Sequence, residues 1–260
     1  MCSPNDSTSH PTGGFPPDAF DRIAATEPGN YWFESRNRLI TWALRRYFPN
    51  AATLHEVGCG TGFVLQAVRA ALPELQLSAS DFLDGGLAVA RRRVPSATFF
   101  QVDAHHLDLP AQYDVVCAFD VLEHIADDSG AMSRLFAAVR PGGGALVTVP
   151  QHPWLWSRAD DVSCHVRRYR RKELTERLTQ AGFELTRVTS FVSLLLPALA
   201  VSRWVDAKRK GEFDGREFQV SRITNGVLRS VLTAERLLIR LGVSWPAGGS
   251  LLAVARKPAS

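Results

Sequence analysis

The chain has 260 residues, 45% of them hydrophobic and 22% charged, with a formal charge of +4. That is ordinary globular composition, rich enough for a sizeable core and too mildly basic to imply a nucleic-acid partner. The longest apolar run, Phe191 to Val201, is too short to span a bilayer and contains Pro197. Cys2, Cys59, Cys117 and Cys164 form no CxxC pair, so paired disulfides and a zinc centre are not expected, and a reducing cytoplasm fits.

Residues 1–20, rich in Ser, Pro, Gly and Asp, have neither a basic nor an apolar signal region and read as a flexible leader. Tyr31 to Phe48 sets Trp32, Phe33, Ile40, Trp42, Ala43 and Leu44 among arginines, which predicts an amphipathic helix. From residue 53 strands alternate with helices. Strands are expected at Thr53 to Val57, Gln76 to Ser80, Thr98 to Val102, Tyr113 to Phe119 and Ala145 to Val149. Between them, helices are expected at Gly62 to Leu72, around Leu87 to Arg91, and at Ala131 to Val139, with a turn at Arg140-Pro141-Gly142-Gly143-Gly144. This alternation predicts an α/β fold, a parallel sheet covered by helices on both faces. A helix at Lys172 to Ala181, a strand at Phe183 to Thr189, helices over 191–245 and a last strand at Ser250 to Ala255 complete the chain. Residues 21–260 therefore read as one domain. Its core is 51–190 with 246–257, its N-terminal cap 21–50 and its helical insertion 191–245.

The loop after the first strand holds three glycines in five residues, Gly58-x-Gly60-x-Gly62, and leads straight into a helix. Open α/β sheets bind ligands at that edge. Phe63 stands where the GxGxxG pattern needs its last glycine, which argues against a dinucleotide, and no Gly-Lys-Ser/Thr follows to make a phosphate loop. A tight turn of purely structural purpose is the bland alternative. Asp81 ends the second strand, 19 residues after Gly62, where a carboxylate accepts the hydroxyls of a ribose. Asp103 ends the third, within reach of an adenine amino group. The competing role for both is helix N-capping. The pattern describes an adenosine pocket with no cradle for pyrophosphate.

Glu56-Val57-Gly58-Cys59-Gly60-Thr61-Gly62 resembles the first motif of class I S-adenosylmethionine-dependent methyltransferases. Ser80-Asp81-Phe82 with Leu87-x-x-Ala90-Arg91 resembles their second, and Gln101-Val102-Asp103-Ala104 their third. Tyr113-Asp114-Val115-Val116 through Phe119-Asp120-Val121-Leu122-Glu123-His124 resembles the fourth, and Pro141-Gly142-Gly143-Gly144 the turn before the fifth strand. The resemblance implies a doubly wound, seven-stranded, mostly parallel sheet with an antiparallel last strand, and S-adenosyl-L-methionine as cofactor. It sets Glu56 and the backbone of Gly58, Cys59, Gly60 and Gly62 against the methionine part. Asp81 and Phe82 fall at the ribose, Asp103 and Ala104 at the adenine, and Phe119 and Asp120 between cofactor and acceptor. The stretch Phe82-Leu83-Asp84-Gly85-Gly86 departs from the usual helix start and predicts a helix that begins late.

Methyl transfer from a sulfonium is an in-line displacement with a neutral leaving group, so orientation is the enzyme's main contribution. A general base is needed only where the acceptor must lose a proton. His124 lies at the active edge, and the resemblance sets it near the acceptor, against the alternative of a histidine that pins a loop. His152, Trp154 and Trp156 follow the fifth strand, where they would shape a pocket or merely pack. The segment from Asp160 through His165-Val166-Arg167-Arg168-Tyr169 to Leu174 resembles an element of methyltransferases of the ubiquinone-biosynthesis-type branch. It makes His165 and Tyr169 catalytic candidates beside His124. Tyr31-Trp32-Phe33 with Arg36 resembles the start of that same branch, whose N-terminal helix covers the cofactor; Arg36 would then meet the cofactor carboxylate.

Five basic residues between Arg167 and Lys172 read as a solvated helix start, against RNA binding as the rival. Asp160, Asp161, Cys164 and His165 lack a standard ligand spacing, so no metal is expected. The 191–245 helices read as a lid, with a peripheral membrane contact as the minority reading. The expected activity is methyl transfer to a small-molecule or lipid-linked metabolite at O, N or C. The rivals are an RNA-directed methyltransferase and a non-catalytic cofactor-binding protein.

Overall fold

The computed structural model describes residues 19–104, 109, 111–208 and 220–259. Two helices, α1 (Ala19–Thr26) and α2 (Tyr31–Tyr47), precede β1 (Thr53–Val57), α3 (Phe63–Ala71), β2 (Gln76–Asp81), α4 (Asp84–Arg93), β3 (Thr98–Gln101) and β4 (Tyr113–Phe119). After them come α5 (Asp128–Ala138), β5 (Val139–Pro150), α6 (Arg158–Val162), α7 (Arg171–Gln180) and β6 (Glu184–Phe191). The chain closes with α8 (Leu196–Lys208), α9 (Arg222–Arg240) and β7 (Ser250–Arg256).

The strands form one seven-stranded sheet in the order β3-β2-β1-β4-β5-β7-β6. The first five are parallel; β7 runs antiparallel to both β5 and β6. From β1 the chain winds outward to β3, then returns to β4 on the other side. That reversal opens a crevice beyond the carboxyl ends of β1 and β4.

All seven residues of β4 are buried, as its apolar run requires of a central strand. Its side chains alternate between two cores. Val115, Cys117 and Phe119 join Leu39, Leu44, Leu65 and Leu87 on one face, while Val116 and Ala118 join Met132, Leu135, Leu174 and Leu178 on the other.

Several expectations are corrected. Helix α4 begins directly at Asp84, because its glycines admit close neighbours: a Cβ at Gly86 would lie 2.9 Å from the Gly60 carbonyl oxygen. Strand β5 runs through the expected turn from Val139, with Gly142 at φ +80° and a register shift opposite Tyr113. Ala19 and Phe20, assigned to the leader, open α1; the leader otherwise lies outside the described residues. Cys59 and Cys117 are buried free thiols, but Cys164 is disulfide-bonded, since residues far apart in sequence can still meet in the fold. Among the described residues no helix is long and apolar enough to cross a membrane.

Candidate active site

The glycine loop carries β1 into α3 with Gly58, Gly60 and Gly62 at φ +70°, +51° and +73°. Side chains adopt that region at a cost, so glycine is the economical residue at all three. Packing separates their roles. A Cβ at Gly58 would sit 2.3 Å from a methyl of Val121, and one at Gly62 2.8 Å from Ala90 Cβ. At Gly60 a Cβ would meet nothing within 4 Å among the described residues: the middle glycine faces open space. Its N–H donates to Asp81 Oδ2 at 2.7 Å, and Leu83 N–H donates to Asp81 Oδ1 at 2.9 Å. Asp81 thus ties the first loop to the second, and each oxygen keeps a further lone-pair direction for a ligand hydroxyl.

Glu56 lies under this loop, 2% exposed, and its Oε2 has no hydrogen-bond partner among the described residues. Burial pushes its carboxyl up to about 8; Arg36 opposes that shift and Asp81 adds to it. A buried acceptor without a donor is rare in native structures. The ammonium of an amino-acid moiety would satisfy it, so the residues present fit the methionine end of the cofactor. Burial, reinforced by Glu56 and Asp81, also holds the Cys59 thiol far above its usual range, so it supplies no nucleophile.

Arg36 reaches the crevice from α2. Its Nη1 bonds Asp120 Oδ2 at 2.5 Å, and its guanidinium lies 4.6 Å from the Trp32 ring centroid. Asp120, at φ +55°, also accepts from Thr148 Oγ1 at 3.2 Å. Phe119 is buried just before it, and Phe82 is exposed beside Asp81. Asp103 and Ala104 follow β3, half-buried. The structure therefore brings Arg36, Glu56, the glycines, Asp81 and Asp120 to one edge.

Beyond β4 a single 3-10 turn, Leu122–His124, carries two ionisable residues. Glu123 is fully buried, both its oxygens lack a hydrogen-bond partner among the described residues, and burial beside Asp120 raises its carboxyl well above the usual range. The His124 and His165 rings meet edge to face with centroids 4.7 Å apart. Desolvation of the ring, then the neighbouring His165, lower His124 to about 4 although the residue keeps an outer edge in solvent. His165 Nδ1 lies 2.8 Å from Asp160 Oδ1, and its Nε2 lies 4.0 Å from Glu123 Oε1.

Asp160 is the anchor of this side. It takes two bonds from Arg168, at 2.7 and 3.0 Å, and accepts from Ser157 N–H at 2.8 Å. Burial alone would raise its carboxyl, but the hydrogen bonds from His165 and Arg168 hold it well below the usual range. Glu123 and Asp160 are the functional side chains that sequence reasoning missed as site residues. The one signal for Glu123 was an acid between the apolar residues Leu122 and Ile125.

Tyr169 does not join His124 and His165. It is fully buried, and its hydroxyl donates to Asp128 Oδ2 at 2.5 Å and to the Leu122 carbonyl at 3.2 Å. It is a core residue that pins the turn from below. Nor is the basic run simply solvated. Arg167 pairs with Asp128, Arg168 with Asp160, and Arg171 donates to the Val188 carbonyl, while Arg170 and Lys172 remain exposed.

The chain is similar in sequence and in fold to known methyltransferases. The model of a methyltransferase-domain family matches residues 26–188, more than half of the chain. A probable S-adenosylmethionine-dependent methyltransferase of Mycolicibacterium smegmatis is 32% identical over 160 residues, covering 60% of each chain. A dTDP-3-amino-3,6-dideoxy-alpha-D-glucopyranose N,N-dimethyltransferase of Streptomyces fradiae is 34% identical over 118 residues, 43% of each. The chain thus spans less than two thirds of the length of these relatives. Among solved structures, a Haemonchus contortus phosphoethanolamine N-methyltransferase with bound S-adenosyl-L-methionine superposes with a TM-score of 0.62 at 19% identity. That match covers 95% of this chain and 58% of the other, and shows the common fold. With five motifs in register on that fold, the chain belongs to the family of class I S-adenosylmethionine-dependent methyltransferases.

Proposed function

We propose that the chain transfers a methyl group from S-adenosyl-L-methionine to a small-molecule or lipid-linked metabolite. The observation that carries this reading is the unpartnered buried Oε2 of Glu56 beside the open Gly60 and the Asp81 carboxylate. When bound, the cofactor supplies an electrophilic methyl on a sulfonium. Glu56 would accept from its ammonium, Asp81 from its ribose hydroxyls, and Asp103 with Ala104 would border the adenine. Arg36 would hold the carboxylate, leaving its present partner Asp120 to face the acceptor. The protein's share of the rate is then alignment and exclusion of water. His124 and His165, whose rings meet 4.7 Å apart, would stand on the acceptor side, where a neutral imidazole would take the proton of a hydroxyl or amine.

An RNA acceptor is disfavoured because Arg167, Arg168 and Arg171 are spent on internal partners. A small metabolite is favoured by the named substrate of the Streptomyces relative. A lipid-linked one is favoured by the exposed Val201 and Trp204 of α8, Ile223 and Val227 of α9, and Leu241 just after it, which suit a lid or an interfacial contact. The test is release of S-adenosylhomocysteine on incubation with a metabolite extract, a lipid extract or an RNA pool. Turnover with either of the first two, with one CH2 gained by an extract component, supports the proposal. Turnover with RNA alone, or cofactor binding with no turnover in any pool, overturns it.

A further inference from the structure

Glu123 poses a problem that the proposed methyl transfer leaves unsolved. A carboxylate fully removed from water, with no donor on either oxygen, is costly unless a cation meets it. Arg168 and Arg36 act on it only across space, and neither bonds it; Arg168 is held by Asp160 and Arg36 by Asp120.

Two imidazoles stand beside it. One donor atom from each of Glu123, His124 and His165 lies within 4.8 Å of the others. Both rings are already oriented from behind. Asp160, bound by Arg168 on both oxygens, accepts from His165 Nδ1–H, which leaves the Nε2 lone pair facing Glu123. The His124 ring hydrogen-bonds the backbone of Cys164 and Ser163. Metal-binding histidines characteristically donate their second N–H to a carboxylate or a backbone carbonyl.

We propose that Glu123, His124 and His165 bind a divalent transition-metal ion, zinc by preference. Two imidazoles with one carboxylate suit zinc, or iron(II), far better than magnesium or calcium, which take oxygen ligands. Three protein ligands leave one position open. Tetrahedral zinc sets its donors roughly 3.4 Å apart, so side-chain movements of about 1 Å close the present geometry. The sequence argued against a metal because it weighed the spacing within 160–165; the ligands come instead from two segments about forty residues apart. With the ion bound, both imidazole lone pairs serve as ligands and no longer take the acceptor's proton; beside Asp120 the ion would instead hold an acceptor oxygen in its open position and make that oxygen easier to deprotonate. That last step rests on the proposed methyl transfer; the metal site does not.

The test is a cobalt(II) titration of the full chain, prepared without a histidine tag and stripped with chelator. One ion per chain is expected, with visible d–d absorption that zinc abolishes. Glu123→Gln and His165→Gln should each weaken cobalt binding at least about tenfold, in the range that ligand and neighbouring-shell changes produce; His152→Gln should leave it unchanged. X-ray absorption of the zinc-loaded wild type should show two imidazole ligands, a readout that needs no variant to fold. Absence of a cobalt band in the wild type, fewer than two imidazoles, or wild-type titrations in both Glu123→Gln and His165→Gln would overturn the site. Because each readout is spectroscopic, failure here is distinct from failure of methyl transfer.

Discussion

At the ends of β1 and β2 the site is made largely of main chain. Three glycines at positive φ shape the loop, and one carboxylate, Asp81, holds it through two backbone N–H groups. Beyond β4 and β5 the site is made of side chains: Glu123, His124 and His165, held by a bidentate Asp160–Arg168 pair. The first kind of site needs particular residues at fixed short spacing, because only glycine reaches those backbone angles cheaply. The second kind needs only that distant segments meet, and it stores its order in buried charge.

The sharpest way to test this contrast is Asp160→Ala. It removes one member of a buried ion pair and leaves Arg168 uncompensated, so a stability loss of about 3–5 kcal/mol is expected. Denaturant unfolding reads that loss, and calorimetry on the folded fraction should find cofactor affinity within twofold of wild type. An affinity that falls with the stability would show that the two regions are one unit.

Acid provides the next test, on the cofactor side. His55 on β1 is fully buried between Ser78 Oγ and Ser80 Oγ, at 2.8 and 3.0 Å, and burial lowers it to about 4. The unfolded chain, titrating near its ordinary value of about 6.5, binds more protons between those two values. Stability from the neutral ring is therefore complete above about pH 6.5 and is lost as the pH falls toward 4. The loss is about 3 kcal/mol. Unfolding curves across that window should show it in the wild type and show it flattened in His55→Asn. Equal slopes in both would place the acid sensitivity elsewhere, with the buried charges beyond β4 next in question.

Asp81→Ala should have the smallest effect. Cofactor affinity should fall by about 1.5–3 kcal/mol, the worth of a lost charged hydrogen bond, while the fold persists. Unchanged affinity by calorimetry would reduce Asp81 to a loop clamp. A collapse of the fold would show that the clamp is its main role.

The fold was legible because its signals are local. The strand Thr53–Val57 and the buried run Tyr113–Phe119 have the bounds that their apolar patterning predicts. The cofactor-side residues were legible for the same reason, since Glu56, the glycines and Asp81 lie within 26 consecutive positions. Tyr169 was misread because its hydroxyl looks identical in sequence whether it meets a substrate or the carboxylate of Asp128. Glu123 was passed over because its one local signal, an acid between Leu122 and Ile125, does not reveal that both carboxyl oxygens are removed from solvent. The pairing of Arg36 with Asp120, 84 positions apart, exists only after the sheet has formed.

The place of β7 carries one more consequence. Strand β6 occupies an edge, where among the described residues β7 is its one strand neighbour and a single bridge joins Ser190 to Trp245. When residues 184–191 emerge from the ribosome, the strand that will flank them has not been made. Synthesis runs from the N-terminus, so β3-β2-β1-β4-β5 can assemble first with the cofactor edge already shaped. The two exposed ladders of β5 and β6 must then wait for residues 250–256 to slide between them. Pairing over such separations is slow, and an open strand edge invites the wrong partner in the interval. Nascent chains stalled before residue 250 should accordingly hold cofactor while still engaging chaperones.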